Sequence, residues 1–264
     1  MTELTELTFA SNGAKLWGGF VHATGAPRDA TVVLCHGLTN HHDDAPMFGL
    51  LRDGLLAAGY DVFLFDFYGS GQSDGTFRDK TWTGMRQNLA DALDTLHEEL
   101  PVSAGRVALV GRSVGASVAG YFLKDERIAC SVLASPVLLL ETQFGPYRSD
   151  PDGGYVRMPE YVERSGQIKG DWVMNEQFFD ELVPAEHELI EAVTGASRVL
   201  VMHGHGDPKV KTVHSERLMQ LLADPKMYIG VDEGDHYYTG HEDEAGSATL
   251  DWLNRYLSPA GGAS

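Results

Sequence analysis

Short apolar runs rich in β-branched residues recur along the chain, and apolar positions at helical spacing fill most of the intervals between them. The opening segment LTFASNGAKLWGGFVHA predicts two strands joined at Asn12-Gly13, a dipeptide that suits a tight hairpin turn. TVVLCHG (31–37) and YDVFLFDF (60–67) are continuous apolar runs, the pattern of strands buried on both faces. Between them Leu50, Leu51, Leu55 and Leu56 mark a helix over about 45–58. GSGQSDG (69–75) breaks all regularity, and a helix from Trp82 to Leu100 follows, closed by Pro101. RVALVG is a strand, Ser113–Leu123 a helix and IACSVLAS a strand. The alternation stops after Pro136, where proline-rich and aromatic patches are followed by a helical pattern around WVMNEQFFDELVPAEHELIEAV (172–193). It resumes with RVLVMHG, a helix near Val213–Leu222, the strand KMYIGVD and a terminal helix near Asp243–Leu257.

Strands alternating with helices predict the α/β class: right-handed βαβ units, a mostly parallel central sheet and helices on both faces. The expected division is a core of residues 1–136 and 197–258, an insertion at 137–196 and a flexible tail at 259–264. The insertion leaves the sheet at the C-terminal end of a strand, where it is placed to cover a site as a cap. In such sheets chemistry gathers where loops leave the C-terminal strand ends, so the residues just after strands carry the most information.

Gly111-Arg112-Ser113-Val114-Gly115 lies at one such point, between a buried strand and a helix. It is a G-x-S-x-G elbow, in which a strained turn lifts the serine hydroxyl above the sheet. Glycines flank it because a Cβ there would collide with the neighbouring strand and helix. A serine needs a base to take its proton. His236 follows KMYIGVD, and Asp207, the carboxylate to orient it, follows RVLVMHG. Asp232 and Asp235 are rival acids, and His203 and His205 are rival bases. The amide of Val114 and that of Leu38, in the loop after VVLCHG, are the expected oxyanion donors, with His36 bracing that loop.

The blocks VLCHGLTNHHDD, YDVFLFDFYGSGQSDGTF, VALVGRSVGAS, VMHGHGDPKV and GDHYYTG follow, in order, those of α/β-hydrolase serine esterases. The chain most resembles the compact group of bacterial feruloyl (cinnamoyl) esterases and related S33-type peptidases and lipases. That resemblance implies the α/β-hydrolase fold, with Ser113 as nucleophile, Asp207 as acid, His236 as base, and oxyanion donors at Leu38 and Val114. It does not extend over 137–196. Arg112 stands where the related esterases often have histidine, and Tyr68-Gly69-Ser70 replaces their polar-Gly-His run.

Composition narrows the partners. The net charge of −18, from 20 basic and 38 acidic residues, argues against nucleic acid and anionic membranes. The apolar runs are too short to span a bilayer, and MTELTELTFA lacks a signal pattern, so a cytoplasmic location is expected. Cys35 and Cys130 fall in strand-like runs and are expected as buried thiols, with a disulfide as the lesser reading. His41-His42-Asp43-Asp44 reads as a polar loop edge rather than a metal site, because consecutive side chains converge poorly on one ion. GSGQSDG lacks the lysine and spacing of a phosphate loop. Arg112, Tyr147, Trp172 and Phe178 are candidate substrate contacts, with Phe179 and Tyr155 near them; packing within the insertion accounts for these aromatics equally well. The sequence thus predicts a cofactor-free carboxylic ester hydrolase for a small acyl substrate, with a homodimer allowed. The alternatives are a thioesterase, lactonase or amidase/peptidase with the same triad, or a binding or cyclising protein on the same fold.

Overall fold

A computed structural model describes residues 4–43, 47–99, 106–148, 156–157 and 173–257. Strands β1 (Leu4–Ser11) and β2 (Ala14–Val21) form the expected hairpin, with Ser11 opposite Ala14. Asn12 (φ 50°) and Gly13 (φ 81°) both take left-handed backbone, the conformation a two-residue turn demands. β3 (Thr31–Cys35), β4 (Asp61–Phe65), β5 (Val107–Arg112) and β6 (Ile128–Ala134) are the buried strands of the first half.

Between β6 and the next strand of the main sheet lie short elements: α4 (Leu140–Phe144), a 3-10 turn at Gly145–Tyr147, the two-residue strands β7 (Val156–Arg157) and β8 (Val173–Met174), and α5 (Glu176–Asp180). The longer α6 (Leu182–Val193) closes this stretch. β9 (Val199–Gly204), α7 (Val213–Leu221), β10 (Lys226–Val231) and α8 (Glu242–Tyr256) complete the chain. The earlier helices are α1 (Met47–Ala57), α2 (Trp82–Glu99) and α3 (Val114–Gly120). The expected tail at 259–264 lies outside the described residues.

The eight-stranded sheet runs β1-β2-β4-β3-β5-β6-β9-β10, parallel from β4 to β10 with the hairpin antiparallel at its edge. Alternate residues of each buried strand feed two separate cores. Val33 and Cys35 of β3 join the core shared with α2, α3, α6 and α7; Val32 and Leu34 join the one shared with α1 and α8. This period-two division explains why the strands read as unbroken apolar runs. After β3 the chain steps to β4 on one side and returns to β5 on the other, so the strand order reverses between β3 and β5. Ligands bind at such switch points in open α/β sheets.

Helix α3 ends at Gly120 rather than running to Leu123. Tyr121 and Phe122 instead close tighter turns onto Val118 and Ala119. There α6 crosses closely enough that a Cβ on Gly120 would lie 2.8 Å from Leu189. Leu182, Leu189 and Val193 of α6 are buried in the same core as α3, and the Tyr121 hydroxyl donates to the carbonyl of Ala185 at 2.7 Å. Cys35 and Cys130 are free and buried, and burial pushes the Cys130 thiol up to about 12. Among the described residues no helix is long and apolar enough to cross a membrane.

Candidate active site

Ser113 follows β5 directly and holds φ 56° and ψ −125°, a strained backbone for a residue with a side chain. Its N–H donates to the carbonyl of Ala134 at 2.9 Å, which fixes the turn to β6. Both flanking glycines answer to close approach. A Cβ on Gly111 would lie 2.6 Å from the Cα of Ala116, and one on Gly115 would lie 2.2 Å from the carbonyl oxygen of Cys35. The hydroxyl of Ser113 forms no hydrogen bond with any described residue, and the side chain is half-buried.

The loops after β9 and β10 lie side by side because these strands are neighbours. Gly206 N–H donates to Gly234 O at 3.0 Å, and a Cβ on Gly204 would meet that same carbonyl at 2.1 Å. This contact brings Nδ1 of His236 to 2.7 Å from Oδ2 of Asp207. The other oxygen of Asp207 accepts the N–H groups of Lys209 (2.8 Å) and Val210 (2.9 Å). Burial alone would raise this carboxyl. The His203 ring 3.5 Å away, the hydrogen bond from His236 and that from the Val210 amide outweigh it and hold the group far below the usual carboxylate range. His236 is pushed below the ordinary 6.5, first by burial, with Arg112 and Lys209 adding to the effect and Asp207 opposing it. A ring donating Nδ1–H to Asp207 leaves Nε2 free to accept a proton.

The rival acids are placed differently. Asp235 turns its carboxylate onto its own loop, accepting from the amides of Tyr237 and Thr239 and from the Thr239 hydroxyl. Asp232 is exposed and pairs with His205 at 3.0 Å. His203 is buried, with Nε2 on the Val210 carbonyl and Nδ1 on Ser215.

On the other side of the elbow, the position a Cβ on Gly37 would occupy lies 3.6 Å from the Cβ of Ser113. His36 donates Nδ1–H to the carbonyl of Gly37 (2.7 Å) and accepts the Phe67 N–H at Nε2 (3.1 Å). Burial lowers its pKa to about 3, so the ring is a neutral strut. Among the described residues the N–H groups of Leu38 and Val114 form no hydrogen bond. Arg112 is 1% exposed and donates to Oδ1 of Asn40 at 3.1 Å.

His41 and His42 come together with Asp66, their ligand atoms all within 4.8 Å. Asp66, the residue after β4, is brought to this loop only by the fold. The atoms are already engaged: Asp66 accepts the His42 N–H, His42 Nδ1 and the Gln72 N–H, and His41 Nδ1 accepts the Asp43 N–H. His42 also stacks on Trp17 at 3.8 Å. The arrangement is a hydrogen-bonded loop anchor; Asp44 lies outside the described residues. GSGQSDG wraps the same strand end, with the Ser73 hydroxyl donating to Asp66 O and the ammonium of buried Lys80 donating to the Ser70 hydroxyl at 2.6 Å.

Of the candidate substrate contacts, Phe178 is fully buried among Trp82, Phe144 and Phe179. Tyr147 is partly buried against the same core, and Trp172 and Tyr155 lie outside the described residues.

Residues 26–195 match the family described as serine aminopeptidase, S33. The chain belongs to this family. The matched stretch holds Ser113 and the loop of Leu38, and it ends before Asp207 and His236. This S33 hydrolase is 23% identical to the uncharacterized protein YfhR of Escherichia coli K12, over 97% of this chain and 82% of that one. It is 27% identical to an uncharacterized protein of Mycobacterium tuberculosis, over 94% and 76%. Est1E from Butyrivibrio proteoclasticus, solved with ferulic acid bound, aligns with a TM-score of 0.76 at 17% identity over 95% of this chain and 99% of that one. The Pyrococcus furiosus esterase PF2001 aligns at 0.71 and 20% identity, over 97% and 92%. The fold of the S33 hydrolase is therefore the α/β-hydrolase fold.

Proposed function

We propose that the S33 hydrolase cleaves a carboxylic ester through Ser113, His236 and Asp207. The observation that carries this reading is the 2.7 Å contact of His236 Nδ1 with Asp207 Oδ2, formed by loops that leave the same sheet edge as the strained Ser113 elbow. His236 Nε2 takes the hydroxyl proton as Ser113 Oγ bonds to the ester carbonyl carbon. The resulting oxyanion is held by the N–H groups of Leu38 and Val114, each contributing roughly 3 kcal/mol of transition-state stabilisation. The alcohol leaves with the proton from His236, an acyl-enzyme remains, and water activated by the same ring releases the acid. Residues 137–196 serve in this reading as the cap that sets acyl-group fit.

The family description favours a second reading, in which the same groups cleave an aminoacyl amide. A fluorophosphonate probe tests the nucleophile: it labels the wild type, and Ser113→Ala abolishes both labelling and turnover. Labelling of that variant would remove Ser113 from the mechanism. kcat/KM across aryl esters, acyl thioesters and aminoacyl amides then separates the readings. Esters are expected to lead, and a lead by aminoacyl amides would install the second reading.

A further inference from the structure

Tyr237, next to His236 in the chain, is contacted from the end of β5 and from the loop after β9. Its ring stands edge-on to the imidazole, with centroids 5.4 Å apart and planes at 83°. The Arg112 guanidinium carbon lies 4.6 Å from the ring centroid, and Arg112 also donates to Asn40 in the loop of Leu38. The Lys209 ammonium lies 4.8 Å from the same centroid and donates to the Tyr237 hydroxyl at 3.1 Å. The Lys209 backbone N–H meanwhile holds Oδ1 of Asp207. Burying a guanidinium is costly, and setting two cations against one ring adds mutual repulsion. An apolar residue at 112 would fill the same space without either cost.

We propose that Arg112, Tyr237 and Lys209 are positioning residues: a clamp that locks the loops carrying Leu38, Ser113, Asp207 and His236 into one arrangement. This role rests on the reading of His236 as the base. The charged groups facing His236 are Asp207, Arg112 and Lys209; His203 stands behind Asp207, and the Tyr238 hydroxyl is bonded to Ser135. The two cations oppose protonation of the ring, so the clamp also keeps the base neutral at lower pH.

The test follows the ring nitrogen signals of His236, assigned with His236→Gln, through a pH titration of the full chain. Wild type, Arg112→Met, Arg112→Lys and Lys209→Met are compared. The midpoint is expected to rise in both methionine variants, and the acid limb of kcat/KM on the best ester rises with it. Arg112→Lys is expected to hold the midpoint near the wild-type value while kcat falls about 10-fold, because the charge stays and the planar stack is lost. Lys209 is half-exposed, so Lys209→Met keeps the test available if Arg112→Met fails to fold. An unmoved midpoint in the folded methionine variants overturns the proposal. A wild type inactive on every ester, thioester and amide would overturn the functional reading instead, while the ring titration would still judge the clamp.

Discussion

The two oxygens of Asp207 have separate tasks. Oδ1 closes a turn by accepting from Lys209 and Val210, and Oδ2 faces the His236 ring. Asparagine can keep the first task and must fail the second, since its NH₂ would face Nδ1 and drive the ring proton to Nε2. Asp207→Asn is therefore expected to lower kcat about 10⁴-fold while the melting temperature changes little, measured by steady-state kinetics and a thermal scan. Placement after strands was enough to nominate Ser113, Asp207 and His236 from the sequence. Asp207 ranks above Asp235 in the sequence because a carboxylate that close to His236 in the chain would have to fold back onto the ring. Asp235 is consumed by Tyr237 and Thr239. Asp66, inside an apolar run, and Lys80, in the polar stretch FRDKT, look unremarkable in the sequence, and only the tertiary fold buries them.

Among the elements, β3 to β6 and β9 were legible because both faces of the sheet are covered there, which makes each of them a continuous apolar run. The Asn12-Gly13 turn was legible because few residues tolerate its backbone. In the stretch from 137 to 196 the helical pattern of 172–193 was legible and is α5 and α6, whereas the other described elements are too short to show a period. The elbow yields an element-level prediction. A methyl group on Gly115 would sit 2.2 Å from the carbonyl oxygen of Cys35 and 2.4 Å from that of His36, and backbone atoms cannot swing aside as a side chain can. Gly115→Ala is expected to lose about 3 kcal/mol in urea unfolding. It should also lose activity, because the displaced strand end carries the loop of Leu38.

For the molecule as a whole, Lys80 sets an unusual pH dependence. It is 1% exposed, bonded to the Ser70 hydroxyl and near Asp66, and burial lowers its pKa from 10.5 to about 7, with Asp66 opposing. Between these values the unfolded chain binds more protons than the native one, so stability rises with pH in that window. Urea unfolding from about pH 7 to 8.5 should show this rise in the wild type and a flatter profile in Lys80→Met; parallel profiles would mean that the native lysine keeps its proton. A last consequence concerns tolerance to change. β6 and β9 pair directly and in parallel, so the points where the stretch between them leaves and rejoins the sheet are fixed by that pairing however much chain intervenes. Doubling the length of such an excursion costs only about 0.6 kcal/mol of closure entropy. Homologues with the same sheet are thus expected to diverge most between these two strands, since a longer or shorter excursion leaves the strand pairing unchanged.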